Sequence, residues 1–371
     1  MAREKQLLQV RIGHFIETEV AGGAEQVLID LACYANSETA NFQAVVLHFG
    51  HPWIAEQCES HGIEHLTVPF RRNFKSTKRL PVFAWEFGRW LKKQRIDLLH
   101  SHLFGPVTGG ALAALVAGIP HVGTLHDIYM IEEKPARIHL VWLAALLGTR
   151  LVTVSRDMED FYRSKTSFRK NSISTIYNGI EFNDTAATKR SEGNPVTIIC
   201  VGRLVSLKNV DLIIQATLLL AESNNVRLYI LGEGPERQHL ESLIPEDSKD
   251  IVHFPGVSRD VLSWLKKSDI FVQFSSTEGL SRSIIEATAA GLPTVVSDVG
   301  GNREIVEHNR TGFVVPHGNS DALIESISKL LNDKELRLNM GELGKRRARD
   351  LFSRTVNNDQ YIQLYQQLLS L

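Results

Sequence analysis

The feature that most constrains this fold is an alternation that runs the length of the chain. Short apolar runs occur at residues 7–12, 44–48, 97–100, 121–124 and 150–154, then resume at 196–201, 227–231, 251–254, 270–274 and 294–297. Longer amphipathic segments lie between them, such as Leu323, Ile324, Ile327, Leu330 and Leu331, spaced for one helix face. Strands that are apolar on both faces belong in parallel sheets covered by helices on each side. The sequence therefore predicts an α/β protein of two doubly wound, Rossmann-like domains. A polar, aperiodic stretch at 183–195 marks the boundary, giving domains at 1–185 and 195–353. A final helix at 354–371 could pack on either domain, and packing back on the N-terminal one is the expectation. In such sheets ligands bind beyond the carboxyl ends of strands, so a cleft between facing sheets is the expected site.

Composition excludes some classes. The 371 residues carry a net charge of −1, and nothing global argues for a nucleic-acid partner. No run reaches the roughly 18 apolar residues of a spanning helix. The opening MAREKQLLQVRIGHF lacks the apolar core of a secretory leader, which predicts a cytoplasmic protein. Cys33, Cys58 and Cys200 are scattered, and Cys33 and Cys200 read as core. From Arg71 to Arg95, nine Lys/Arg face one acid, Glu86, with aromatic residues interleaved. That segment reads as a solvated helix face with aromatics packed inward, or as a peripheral contact with anionic lipid at the inner face of a membrane. A nucleic-acid surface is a weaker third reading.

The stretch EGLSRSIIEATAAGLPTVVSDVGG sets Glu278 and Glu286 eight positions apart. Ser283 with Glu286 spells a capping box for the helix that Gly291 and Pro293 end. Glu278, beside Gly279 at a strand's carboxyl end, is placed to accept hydrogen bonds from hydroxyls. In VGRLVSLKN, Arg203 and Lys208 put two cations after a strand, a pairing suited to a diphosphate and equally ordinary as surface charge. Gly22 and Gly23 fall in the first strand-to-helix loop, where glycines allow close backbone approach. His126 ends one strand, and His100 and His102 end its neighbour. Two histidines around one residue, with no third ligand at fixed spacing, make a poor zinc case. No D-x-D occurs, so metal-independent chemistry is expected and no cofactor is implied.

Taken together, GGAEQ, DLLHSH, TLHD, VTVSR, YNGIEF, VGRL…LK, LGEGPE, FPG, the two-glutamate stretch and TGFVVP resemble the family-four retaining glycosyltransferases of the GT-B fold. The resemblance implies a nucleotide-diphosphate sugar bound mainly by the C-terminal domain and an acceptor by the N-terminal one. Arg203 and Lys208 would neutralise the donor diphosphate, Glu286 would hold the ribose, and Glu278 would bind the transferred sugar. Backbone of Gly279, Leu280, Ser281, Arg282 and Ser283 would lie nearby. Gly22 and Gly23 would approach the diphosphate, and His126 the sugar. Leu280 and Ser281 stand where the family has an aromatic residue and a second glycine, and Asn209 follows Lys208 where glycine is common. Retention of anomeric configuration is implied, with UDP as the default nucleotide and GDP the alternative. A glycan or lipid-linked acceptor of the cell envelope is expected. The rival readings are a sugar-nucleotide epimerase or phosphorylase, a non-catalytic sugar-nucleotide-binding subunit, and an NAD-dependent oxidoreductase, for which the glycine fingerprint is missing.

Overall fold

A computed structural model describes residues 9–19, 22–37, 40, 42–182, 195–258 and 260–370. The stretch 183–194, most of the expected boundary, lies outside them, as does the start of the expected first strand. The chain divides into two compact units, Met1–Gly179 with Arg354–Leu371, and Ile180–Ser353.

The first unit is a seven-stranded parallel sheet: β1 (Arg11–Ile16), β2 (Gln43–His48), β3 (Glu64–Thr67), β4 (Leu98–His102), β5 (His121–Leu125), β6 (Arg150–Thr153) and β7 (Ile173–Thr175). Their order is β3-β2-β1-β4-β5-β6-β7. The central strands carry apolar residues on both faces because alternate residues feed different layers. Ile12 and Val46 pack under the helices Gly23–Ala35, Pro52–Ser60 and Arg354–Leu369. Phe15, Val45 and Leu47 pack on the other side, with Phe83, Phe87 and Leu91 of the helix Leu80–Lys93 and Ala113 of Phe104–Ala117. The terminal helix buries Tyr361, Ile362, Leu364 and Tyr365 in the first of these layers.

The second unit is a six-stranded parallel sheet: β8 (Val196–Val201), β9 (Val226–Leu231), β10 (Val252–Gly256), β11 (Ile270–Gln273), β12 (Thr294–Ser297) and β13 (Gly312–Val315), ordered β10-β9-β8-β11-β12-β13. In each sheet the strand order reverses once, between β1 and β4 and between β8 and β11. At such a point neighbouring strand ends send their loops in opposite directions and leave a crevice.

Three strands escape the sequence reading: β3, β7 and β13. β3, EHLT, and β7, IST, mix polar residues into a short span, and β13, GFVV, opens on glycine and leaves three apolar residues, so no apolar run stands out. Among the described residues β1 begins at Arg11, after Gln9 and Val10, and it runs past the expected end at Ile12 through Gly13 and His14 to Ile16. Cys33 is only half-buried, whereas Cys58 is buried with Cys200. The basic segment becomes Arg71–Phe74, a turn at Thr77–Arg79, and Leu80–Lys93. Phe83 and Phe87 turn inward as the solvated-face reading expects, yet Trp85 stays 54% exposed with the Arg89 guanidinium over its ring.

Candidate functional site

The candidate residues fall into two groups, one in each unit, beyond the carboxyl ends of β8 and β11 in the second unit and of β1 and β5 in the first.

In the second unit the turn after β8 carries Arg203 and Lys208, and the loop after β11 carries Glu278 to Ser283. The adjacency of β8 and β11 brings them together. Asn209 sits at φ +45° and its side chain donates to the Phe274 carbonyl at 3.1 Å, while the Ser276 N–H reaches the Leu207 carbonyl at 2.8 Å. A left-handed backbone accounts for glycine being common there in the family, and asparagine is the side chain that tolerates it best. Between these clamps, Lys208 Nζ meets Glu278 Oε1 at 2.5 Å. Arg203 is exposed and makes no side-chain hydrogen bond or ion pair among the described residues. Two cations and one carboxylate at a strand-end crevice can grip a dianionic group and a hydroxylated ring side by side.

The loop behind Glu278 is held closely. Gly300 has φ +49°, and a Cβ on it would overlap the Glu278 carbonyl oxygen, while the Gly301 N–H donates to Gly279 O at 2.9 Å. Gly232, at φ +144°, likewise lets the loop after β9 lie against the Gly202 carbonyl. The GEGPE motif thus serves the packing of the VGRL turn. Cys200, beneath the pair, has its thiol pushed up to about 12 by burial, with nearby Lys208 opposing and Glu278 adding to the shift. It is an inert wall.

The capping box is not formed. The helix spans Arg282–Ala289, so Ser283 lies inside its first turn and Ser281 is the N-cap residue, without a side-chain capping bond. Ser283 Oγ instead donates to Gln273 Oε1 at 2.7 Å, and Glu286 pairs with Arg282 at 2.8 Å. Glu286 is therefore not engaged in capping. Gly279, Leu280 and Ser281 are buried, Leu280 standing where the family has an aromatic ring. Sequence reasoning passed over Gln273. It is 1% exposed, ends β11, and its amide reaches Glu278, Ser281 and Ser283. The signal was one amide in an otherwise apolar strand.

In the first unit, Gly22 precedes the helix Gly23–Ala35, and its N–H is already held by the buried Glu25 carboxylate at 2.8 Å. His126 follows β5, half-buried, with Nε2 3.3 Å from His102 Nδ1; His102 Nε2 in turn lies 3.4 Å from His14 Nδ1. His14 supplies the third imidazole that spacing alone did not offer, because the β1–β4 register sets it opposite His100. Among the described residues, His14, His100 and His102 place ligand atoms within 4.8 Å of one another. Of these rings His100 is committed elsewhere, spanning Tyr365 OH at 2.5 Å and Thr124 Oγ1 at 2.7 Å. Binding a cation there would break those bonds. Burial pushes His126 down to about 4 and His14 to about 3. Burial, then the neighbouring imidazoles, holds His100 and His102 well below the ordinary histidine value. His126 is thus a neutral hydrogen-bonding group at pH 7.

A polar cavity of about 240 Å³ opens at the ends of β1 and β2, lined in part by Glu17, Glu19, His48, His51 and Arg71. His48 Nδ1 accepts the Gly50 and His51 N–H groups, which leaves its proton on Nε2, facing His65 Nδ1 at 3.1 Å.

Residues 21–184 match the profile described as Glycosyltransferase Family 4, and residues 182–347 that described as Glycosyl transferases group 1. The chain is 28% identical over 269 residues to UDP-Gal:alpha-D-GlcNAc-diphosphoundecaprenol alpha-1,3-galactosyltransferase of Escherichia coli, covering 67% of this chain and 70% of that one. It is 26% identical over 302 residues to N-acetyl-alpha-D-glucosaminyl L-malate synthase of Bacillus anthracis, covering 78% and 79%. Among solved structures, HepE of Anabaena in complex with UDP and glucose superposes with a TM-score of 0.81 at 23% identity, over 96% of this chain and 99% of that one.

Proposed function

Because the chain belongs to the glycosyltransferases, joining a family 4 domain to a group 1 domain in the GT-B architecture, we propose that it is a retaining, metal-independent hexosyltransferase. It takes a sugar from a UDP-sugar and passes it to a hydroxyl of a glycan or lipid-linked acceptor in cell-envelope synthesis. The observation that carries this reading is the Lys208–Glu278 pair beside exposed Arg203 at the strand reversal of the second unit.

In this mechanism Arg203 and Lys208 receive the charge that develops on the departing diphosphate, the largest electrostatic demand of the reaction. Glu278 accepts from hydroxyls of the transferred sugar and Glu286 from the ribose. His126, kept neutral by burial, donates to or accepts from the sugar, while its bond to His102 fixes its ring. Gly23 and the backbone near it approach the diphosphate; Gly22 does so when the Glu25 carboxylate swings aside. The acceptor hydroxyl attacks on the face the diphosphate leaves, and a departing phosphate oxygen takes its proton, so positioning replaces an enzyme base. The polar cavity at the ends of β1 and β2 suits a hydroxylated acceptor. Proton NMR of the product from a UDP-hexose, with and without EDTA, tests the reading. An inverted anomeric coupling, or loss of turnover in EDTA, refutes it.

A peripheral membrane position accompanies a lipid-linked acceptor. It is supported by the exposed Trp85 and Arg89 of the basic segment and by Leu140, Leu143 and Leu146, exposed along the helix Ile138–Leu146. Among the described residues no helix is long and apolar enough to cross a membrane. Sedimentation with phosphatidylglycerol vesicles tests the contact: binding in low salt that high salt reverses is expected, and equal binding to phosphatidylcholine vesicles refutes it.

A further inference from the structure

Gln273 ends a central strand with its side chain almost wholly out of solvent. Its amide orientation is fixed by chemistry. Nε2 lies 2.6 Å from Glu278 Oε1, where an amide oxygen would repel a carboxylate. That leaves Oε1 to accept the hydroxyls of Ser283 at 2.7 Å and Ser281 at 3.1 Å. Glu278 Oε1 therefore receives two donors, the Gln273 amide and the Lys208 ammonium. Its second oxygen, Oε2, has no protein partner among the described residues. Ser281 is the residue that stands where the family has its second glycine, and here its hydroxyl bonds to Gln273. The serine and the glutamine form one brace, packed behind the carboxylate.

We propose that Gln273 is a positioning residue for donor-sugar recognition: braced by Ser281 and Ser283, it saturates Glu278 Oε1 together with Lys208, so that Glu278 reads the sugar through Oε2 alone. This rests on the sugar-binding role given to Glu278 above. A carboxylate held by one oxygen accepts from one ring hydroxyl or two adjacent ones, and cannot rotate to follow a sugar of different configuration. The brace therefore sets selectivity among hexoses and contributes nothing to the nucleotide.

The test compares binding of UDP, UDP-glucose, UDP-galactose and UDP-N-acetylglucosamine, with GDP and GDP-mannose alongside, by calorimetry on the full chain. In the wild type, one nucleotide sugar is expected to bind more tightly than its free nucleotide. In Gln273→Met, loss of one charge-assisted donor is expected to cut that preference by roughly 10-fold or more, with free-nucleotide affinity held within twofold. A merely structural glutamine would lower the melting temperature and leave the ratio alone, and that result overturns the proposal. Gln273→Glu, nearly isosteric, keeps the question decidable where Gln273→Met fails to fold. The introduced carboxyl can donate to Glu278 only while protonated, so the preference should weaken as pH rises from 6.5 to 8.5. A flat profile at the wild-type level overturns the inference. Wild-type protein that binds a free nucleotide and its sugar conjugates equally refutes the role of Glu278 itself, and the brace with it.

Discussion

The histidines of the first unit make a quantitative demand on its acid stability. Burial lowers His14 and His121 to about 3, and His48, with help from His65 and His51, and His126 to about 4. Burial followed by neighbouring imidazoles takes His100 and His102 well below the ordinary value. All six are depressed relative to an unfolded histidine near 6.5. Their contribution to stability is thus fully present above pH 6.5, and is lost as pH falls through that value toward about 3 to 4. In this window each binds a proton only when unfolded, which costs about 1.4 kcal/mol of stability per pH unit. Six together lose about 8 kcal/mol per unit, against the roughly 5–15 kcal/mol that holds a domain. The first unit should therefore unfold between about pH 6 and 5, with the second still folded. Hydrogen exchange on the full chain, corrected for intrinsic rates, would show amides of β1, β4 and β5 losing protection first. Denaturant titrations at several pH values give the proton count. Uptake of fewer than two protons between pH 6.5 and 5, or equal loss of protection in β8 and β11, would refute the reasoning.

Arg203→Ala and Lys208→Ala should each lower turnover by roughly 100-fold or more; near-normal rates in both would remove them from the reaction. Glu286→Gln should weaken nucleotide binding while thermal stability barely moves, since the bond lost is an i,i+4 pair worth about 0.3–0.5 kcal/mol. A large drop in melting temperature with unchanged affinity would make the residue structural. Gly300→Ala forces a Cβ into the Glu278 carbonyl at a positive φ. It should displace Glu278 and cost about 100-fold in turnover, and wild-type kinetics would show the loop to be more yielding than its packing suggests.

Periodicity made the layers legible. Apolar strands of four to six residues with helices between them have few arrangements, and the sheets follow from that. The short strands were hidden because β7 has three residues and β3 places Glu64 and His65 in its four. The two-glutamate stretch was legible as a site but not as a local structure. Ser283 and Glu286 have capping-box spacing, yet the helix begins at Arg282 and the serine hydroxyl answers to Gln273 on the strand behind. A pattern of local bonds cannot reveal that a tertiary acceptor outcompetes them. His14 was missed for a related reason: only the register between β1 and β4 brings it to His100 and His102.

The return of the last helix to the first unit also bears on synthesis. The second unit, Ile180–Ser353, is contiguous in the chain, whereas the first awaits Arg354–Leu369 to cover Ile12, Leu28 and Val122. A ribosome therefore releases the earlier half with part of one face of its sheet still uncovered, and holds it so while the later half is made entire. The unit begun first is finished last. The apolar face so delayed is the one through which Tyr365 reaches His100, leaving that histidine without its phenol partner until the final helix arrives.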